Sequence, residues 1–199
     1  MDQPPKIQAD VDNLVDIMKT TFNRAAISAI EEATRMQYKS SLWYEMRYGR
    51  ITASKAHEVS VCHTHDGSLV ATIMGAKIPV TIAMKRGRSL ELSVRKTVST
   101  TLNKKISTCG LYVCQDNPML AASPDSLLKD AIVEIKCPTK AKAKHNHLKN
   151  VADSNFEKTK NVDIILLKYE DDYVNNLIKN LYIFWKKNIY PILYRSTSL

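Results

Sequence analysis

The feature that most constrains the fold is a change in hydrophobic period after residue 103. Before that point, apolar residues recur at helical spacing over residues 7–22 and 79–103, which predicts two amphipathic helices. Beyond it, short apolar runs with β-branched content predict strands over residues 109–114, 119–122, 126–128 and 131–137. A chain that combines both periods is expected to pack helices against a sheet.

Two later segments complete this pattern. Residues 162–168 form a nearly continuous apolar run, which is typical of a strand buried on both faces. Asp171 or Asp172 is placed to cap a last helix over residues 173–188. The order of elements predicts an α/β (α+β) fold with a mixed β-sheet flanked by helices. We expect the buried strand to lie beside the strand at residues 131–137.

The region between the first two long helices is less regular. Residues 27–34 are ambiguous between helix and other structure. A short helix is predicted from Ser40 through Arg47, and Thr52 or Ser54 is placed to cap another helix that runs towards residue 61. For the domains, the sequence predicts a helical extension over residues 1–40 and one further domain over residues 41–195.

Basic residues outnumber acidic residues by 29 to 20, so the 199-residue chain carries a net charge of +9. The excess is concentrated in residues 85–95 and 136–149. Such clusters favour a polyanionic partner, most often nucleic acid, because lysine and arginine release counterions from phosphates. The alternative is a basic surface that only keeps the protein soluble.

The sequence also bears on where the protein works. No apolar run approaches the ~20 residues that span a bilayer, so no membrane partner is expected. The first residues, Met-Asp-Gln-Pro-Pro-Lys, do not form the apolar core of a secretory signal. The four cysteines are therefore expected to be reduced thiols, and the protein is expected to be intracellular, either nuclear or cytoplasmic, and not secreted.

Chemistry is concentrated in one stretch, where Asp125 precedes Glu134 by nine positions. A turn between them predicts a hairpin in which Glu134 and Lys136 project from the same face of a strand, with Asp125 within reach of that face. Two carboxylates can hold a hard cation such as Mg²⁺, and Lys136 can position or deprotonate a water on it. The alternative is a surface hairpin whose charges are solvated or paired.

Pro124-Asp125 followed by Glu134-Ile135-Lys136 resembles the PD-(D/E)XK nuclease signature. Other motifs agree and follow in order along the chain. They are Trp43-x3-Arg47-x-Gly49-Arg50-Ile51-Thr52-Ala53-Ser54, Gly87-x3-Glu91, Gly110-Leu111-Tyr112-Val113, Leu120-Ala121-Ala122-Ser123-Pro124-Asp125 and Glu134-Ile135-Lys136-Cys137-Pro138. Over this span the chain resembles the lambda-exonuclease-like, YqaJ viral recombinase family.

This resemblance implies a restriction-endonuclease-like core and a 5′→3′ exonuclease that acts on double-stranded DNA ends. Asp125 and Glu134 would bind Mg²⁺, or Mn²⁺ as an alternative ion, helped by the backbone carbonyl of Ile135. Glu91 would face the same metals directly or through water, and Lys136 would act on the attacking water.

The resemblance also implies that Arg47 and Ser54 bind the 5′-phosphate of the DNA. Because the family includes ring-shaped trimers, it implies a homo-oligomer as well. Trp43, in the same motif, is predicted to pack in the core.

The chain departs from the family pattern in two places. Ser126 stands where the family usually has glycine, and no glutamine follows Gln115. The family's Tyr-x-x-Gln-x-Gln helix is therefore missing, and the fold is expected to lack part of the segment after the motif strand. Three functions stay open: a metal-dependent nuclease, a catalytically impaired protein that binds DNA ends, and a metal-free basic interaction module.

Overall fold

The computed structural model describes residues 5–64, 67–137, 156–158, 163–165 and 167–196. The helices are α1 (Pro5–Thr21), α2 (Arg24–Ala33), α3 (Ser41–Glu45), α4 (Ala53–Ser60), α5 (Ser68–Ile73), α6 (Ile82–Leu102), α7 (Asp171–Asn188) and α8 (Tyr190–Ser196). The strands are β1 (Ile51–Thr52), β2 (Ser107–Thr108), β3 (Tyr112–Val113), β4 (Leu120–Ala122), β5 (Ser126–Leu127), β6 (Ile132–Val133), β7 (Phe156–Lys158) and β8 (Asp163–Ile165).

Local chemistry explains where several helices begin and end. The side chain of Asn23 accepts the Ala26 N–H at 3.0 Å before α2. Thr81 accepts the Met84 N–H at 3.2 Å before α6, and Asn103 ends α6 in the left-handed conformation with φ 47°. Helix α7 has two aspartates in its first turn and two lysines in its last turn, as the helix dipole favours.

The chain divides into two units. The first unit consists of Met1–Ile78, Cys109–Ser123 and Asp171–Leu199. Its sheet has the order β1-β4-β3, with β1 parallel to β4 and β3 antiparallel to β4. Val11 of α1, Ile51 of β1 and Trp185 of α7 belong to one buried cluster, and the Trp185 indole donates to the Gly49 carbonyl at 2.7 Å.

A buried carboxylate fixes the segment before β3 against α2 in this unit. Glu31 is 5% exposed and accepts hydrogen bonds from Arg35 at 3.0 and 2.8 Å and from the Gly110 N–H at 3.0 Å. One turn later, the Thr34 hydroxyl accepts the Leu111 N–H at 2.8 Å. These side-chain bonds replace strand pairing, so the strand predicted over residues 109–114 is limited to β3.

The Glu31 carboxylate should make the fold sensitive to acid. Hydrogen bonds from Arg35, more than the Gly110 N–H, hold the pKa of Glu31 below its ordinary value of 4.5, against the effect of burial. Its stabilisation is therefore fully present above pH 4.5 and is lost as pH falls through the folded-state pKa. We expect the free energy of unfolding in urea to fall less between pH 7 and acid pH for Glu31→Gln than for the wild type.

Glu32→Gln is the matched control, because the neighbouring Glu32 side chain is 76% exposed and lies 4.0 Å from Arg35. This variant should follow the wild-type pH profile. Equal acid sensitivity in Glu31→Gln and the wild type would show that the buried pair does not link folding to protons.

The second unit consists of Pro79–Thr108 and Pro124–Glu170. Its sheet has the order β2-β5-β6 with antiparallel pairing, and Ser126 lies opposite Val133. The pairing of the segments around Ser126 and Val133 confirms the predicted hairpin. However, the strand predicted over residues 131–137 stops at Val133, because the next N–H to bond, that of Ile135, donates to the Asp125 side chain instead of the ladder.

The prediction of a buried strand at residues 162–168 beside the hairpin is wrong. Within the described residues, β8 pairs antiparallel with β7 and with no strand of the hairpin. Phe156–Lys158 offers a partner close in sequence, and a two-stranded ribbon leaves its faces open. Accordingly, Ile164 and Ile165 are only half-buried, and Leu167 is 70% exposed.

The predictions for the helices are largely confirmed, and those for the helix caps are not. The helices predicted at residues 7–22, 79–103 and 173–188 are confirmed, and of the ambiguous residues 27–34 all but the C-cap Thr34 belong to α2. Thr52 precedes α4 without a capping side-chain bond, and Ser54 lies inside the helix.

Most of the basic cluster at residues 136–149 lies outside the described residues, as does the shortened segment after the motif strand. The division into residues 1–40 and 41–195 stays a prediction.

Candidate active site

The chemical centre of the second unit is Asp125, immediately before β5. Its side chain is half-buried, and Oδ2 accepts the Ile135 N–H at 2.6 Å. This bond joins the two arms of the hairpin at the point where the β6 ladder ends. The carboxylate is therefore held in a defined place, with its other oxygen available to a further partner.

Several charges act on Asp125. Burial, the largest effect, raises the pKa of Asp125 to about 6, the Ile135 N–H opposes the rise, and the carboxylates of Glu134 and Glu91 add to it. The Lys136 ammonium opposes it more weakly. Since three carboxylates and one lysine influence one another here, the four charged groups predicted from the sequence lie in one neighbourhood.

Glu134 and Lys136 follow β6 and are 53% and 57% exposed. The prediction that they share one face of a strand is wrong, because the strand ends at Val133. They nevertheless meet, since the Lys136 ammonium forms an ion pair with the Glu134 carboxylate.

Glu91 reaches the site from α6. Its side chain is 31% exposed and is ion-paired with Arg95, one helical turn later. Arg95 also donates to the backbone carbonyl of Asp125 at 3.3 Å. The sequence analysis did not identify Arg95, although its i+4 spacing from Glu91 was the signal that could have done so.

These side chains fit a divalent cation by their chemistry. Carboxylate oxygens are the ligands that Mg²⁺ prefers, and the carboxylates of Glu134 and Glu91 both act on Asp125. In the part of the chain that the structure describes, no group of three or more His, Cys, Asp or Glu side chains is gathered closely enough to hold a metal. Glu134 would have to exchange Lys136 for the cation, whereas Arg95 bonds Glu91 through Oε1 and leaves Oε2 to face it.

The first unit contains a different constellation, centred on Arg47. Its guanidinium lies 4.0 Å from the ring centre of Trp43, donates to Ser123 Oγ at 3.3 Å and approaches Thr52 Oγ1 at 3.5 Å. Thr52 and Ser54 hydroxyls are 3.1 Å apart. Burial lowers the pKa of Arg47 from its ordinary value. A partly buried guanidinium among hydroxyls is suited to an anion.

Arg50, three residues later, has a structural role and differs from Arg47 in its contacts. Its Nε donates to the Pro118 carbonyl at 3.0 Å and its Nη1 to the Met46 carbonyl at 2.8 Å. Within the described residues, the hydrogen bonds of the Arg47 guanidinium are only the two long ones to hydroxyls, and the ion pairs include none to it. The donors of Arg47 therefore have capacity to spare.

Sequence reasoning found Arg47 and Ser54 but missed two members of this group. Ser123 was visible in the Ala-Ala-Ser-Pro-Asp string, and Thr52 was considered only as a helix cap. Trp43 is half-buried and carries Arg47 on its ring, so its predicted place in the core is wrong. We refer to Trp43, Arg47, Thr52, Ser54 and Ser123 as the Arg47 pocket.

Within the described residues, no helix has the length and apolar character needed to cross a membrane. No match to this chain was found among curated proteins.

Solved structures, in contrast, include clear likenesses. One is the crystal structure of an alkaline exonuclease (LHK-Exo) from Laribacter hongkongensis, with a TM-score of 0.56 and 18% identity over 78% of this chain and 97% of that chain. The same exonuclease in complex with dAMP gives a TM-score of 0.57 with the same identity and coverage. These likenesses confirm the predicted fold class.

A family model provides independent evidence at the level of sequence. The model that matches is the YqaJ-like viral recombinase domain, and it covers residues 42–182, more than two thirds of the chain. The matched residues include the Arg47 pocket, α6 and the hairpin that carries Asp125 and Glu134. The chain therefore belongs to the YqaJ-like viral recombinase domain family, as the order of its motifs had predicted.

Proposed function

We propose that this chain is a divalent-metal-dependent deoxyribonuclease that degrades duplex DNA from its ends in the 5′→3′ direction. The observation that carries the proposal is the clustering of charge around Asp125, on which Glu134, Glu91 and Lys136 all act. The fold shared with an alkaline exonuclease supports the same reaction class.

In this proposal Asp125 and Glu134 hold Mg²⁺, or Mn²⁺ in its place, together with the Ile135 carbonyl. Glu91 supports the ion directly or through water. Such an ion, when bound, lowers the pKa of water and offsets negative charge on the phosphate. Lys136, released from Glu134, would orient the attacking water or, after losing its own proton to solvent, accept the proton of that water. The Ile135 N–H keeps Asp125 Oδ2 in place throughout.

The Arg47 pocket is proposed to bind the 5′-phosphate of the DNA end. A terminal phosphate carries more charge than an internal phosphodiester and presents three oxygens, which match the guanidinium fork and the hydroxyls of Ser54 and Ser123. The ring of Trp43 limits the movement of the guanidinium. An end held in this way selects the 5′ terminus as the starting point, and this selection gives the reaction its direction.

Replacing Arg47 tests this assignment. For Arg47→Gln, we expect the preference for 5′-phosphorylated over 5′-hydroxyl duplex to fall by about 10- to 100-fold, because hydrogen bonds to charged groups contribute about 1.5–3 kcal/mol. Arg47→Lys should recover only part of the preference, since an ammonium lacks the planar fork. Initial digestion rates of both duplexes measure the effect.

Arg24→Gln removes the same charge from an exposed position at the start of α2 and should leave the preference unchanged. If Arg47→Gln and Arg24→Gln behave alike, Arg47 contributes only to the general attraction of a basic protein for DNA.

A second candidate function is binding of DNA ends without turnover. The Glu134–Lys136 ion pair outside the strand favours it, as does the lack of glutamine after Gln115. A labelled, 5′-phosphorylated linear duplex with Mg²⁺ separates the two candidates: digestion supports the nuclease, and retention without digestion supports the binding protein. The homo-oligomer implied by resemblance stays a prediction, which light scattering on the full chain can test.

A further inference from the structure

Arg95 connects two elements of the second unit. It lies on α6, one turn after Glu91, and its Nη2 donates both to the Glu91 carboxylate and to the Asp125 backbone carbonyl at 3.3 Å. A helix side chain and the chain segment just before β5 are therefore held by one guanidinium group. The two residues that it contacts are those that the proposed function places at the metal.

The burial of Arg95 distinguishes it from ordinary surface pairs. Its side chain is 16% exposed and that of Glu91 31%, whereas the Lys104–Asp130 pair of the same unit is 50% and 63% exposed. A solvent-exposed i,i+4 pair on a helix contributes little to stability. The bond from Arg95 to the Asp125 backbone carbonyl is a second difference from such an exposed pair.

The position of Arg95 also has an energetic cost. Arg95 Nε is buried, and the described residues offer it no hydrogen-bond acceptor. Leaving a buried donor unsatisfied destabilises the folded state, because the donor gives up its bond to water without replacement. The orientation of the guanidinium therefore allows the two Nη2 hydrogen bonds but leaves the Nε–H without an acceptor among the described residues. Unsatisfied buried groups of this kind call for an explanation, and a role in a site is one of the recognised ones.

We propose that Arg95 is a positioning residue for the metal site: it fixes the Glu91 carboxylate relative to the Asp125 main chain so that both are prearranged for one divalent cation. The inference rests on the proposed function. Groups that orient metal ligands without touching the metal typically contribute about 10–100-fold to metal affinity.

A role through charge and a role through positioning predict opposite effects of Arg95 removal on cation binding. If Arg95 acted only as a nearby positive charge, its removal would strengthen the binding of a cation, because repulsion would be relieved. If Arg95 positions Glu91 and Asp125, its removal weakens that binding in spite of the relieved repulsion. The sign of the change in affinity therefore separates the two roles.

The test measures Mn²⁺ binding to the full chain by electron paramagnetic resonance, without DNA. We expect Arg95→Gln to weaken Mn²⁺ binding at least tenfold and Arg95→Lys to weaken it less. Lys96→Gln removes the same charge from the exposed neighbouring position of α6 and should bind as the wild type does. Circular dichroism establishes that each variant is folded, and if Arg95→Gln is not, the charge-conserving Arg95→Lys decides.

Unchanged or tighter Mn²⁺ binding in the folded Arg95 variants would overturn the inference, provided that Asp125→Asn abolishes the binding seen in the wild type. Absence of Mn²⁺ binding in the wild type, or binding that survives Asp125→Asn, would instead overturn the proposed metal site and the role of Arg95 with it.

Discussion

Gly110→Ala is expected to unfold the first unit. A Cβ on residue 110 would lie 1.8 Å from the Glu31 carbonyl oxygen and 2.7 Å from Thr34 Oγ1, whereas real Cβ contacts essentially never fall below 3.0 Å. The obstacle is backbone, so no side-chain rotation relieves it. Moving the segment would also break the bonds from Gly110 to Glu31 and from Leu111 to Thr34.

We expect the loss of stability to exceed the ~1–3 kcal/mol of ordinary overpacking, against a total of about 5–15 kcal/mol for a domain. Urea unfolding followed by tryptophan fluorescence reports on this unit, because Trp43 and Trp185 are the two tryptophans of the chain and both lie in it.

Gly87→Ala is the control, since a Cβ there meets nothing within 4 Å and the position lies inside α6. By circular dichroism it should be neutral or stabilising by about 0.5–1 kcal/mol. A Gly110→Ala protein as stable as the wild type would mean that the close approach of α2 to this segment is not a feature of the folded chain.

Asp125→Asn should separate activity from stability. The substitution keeps an acceptor for the Ile135 N–H but removes the charge that the proposed cation needs. We expect DNA cleavage to fall by more than ~100-fold, since even groups that merely orient metal ligands contribute about 10–100-fold. Single-turnover digestion of a phosphorylated duplex with saturating Mg²⁺ measures the loss.

Stability should change in the opposite direction. The pKa of Asp125 is raised to about 6, so above that pH the folded protein holds a carboxylate that is less favourable than in the unfolded chain. This destabilisation sets in as pH rises from the ordinary value of 3.8 through the folded pKa. At neutral pH without divalent cations, Asp125→Asn should therefore melt at the wild-type temperature or above it.

Asp130→Asn is the matched control, because Asp130 lies in the turn of the same hairpin and its exposed pair with Lys104 contributes little. It should retain wild-type cleavage. Substantial cleavage by Asp125→Asn would exclude Asp125 as an essential ligand, whichever way the melting temperature moved.

The sequence predicted those elements whose signals are local. The helical spacing that includes Val11 and Val15 identified α1, and both side chains are buried. The antiparallel pairing of Ser126 with Val133 followed from the short turn between two apolar runs. In contrast, β1 is two residues long and pairs with β4, which lies about 70 residues later in the chain, so nothing near Ile51 indicated a strand.

Two of the predicted strands came out too long because a side chain replaced backbone pairing. The Asp125 carboxylate takes the Ile135 N–H and ends the hairpin ladder, and Glu31 takes the Gly110 N–H across 79 residues. No pattern of hydrophobicity reports such bonds.

The same reasoning applies to the candidate site. Motif residues such as Asp125 and Arg47 were identifiable by type and order, and their proposed roles stay predictions. Ser123 and Arg95 stand close to motif residues in the sequence, but only their distances to Arg47 and Asp125 showed that they belong with them.

The discontinuity of the first unit has a consequence for biosynthesis. Trp185, Ile189 and Tyr190 are at most 1% exposed and share a core with Val11 and Val15 of α1. Domains normally fold from the N-terminus while the ribosome is still at work. Here Trp185 and its neighbours are made late, so the part of the core that they fill stays uncovered during most of translation. A message cut short before α7 would yield a product with an incomplete core, a target for chaperones and proteases, and not a smaller working protein.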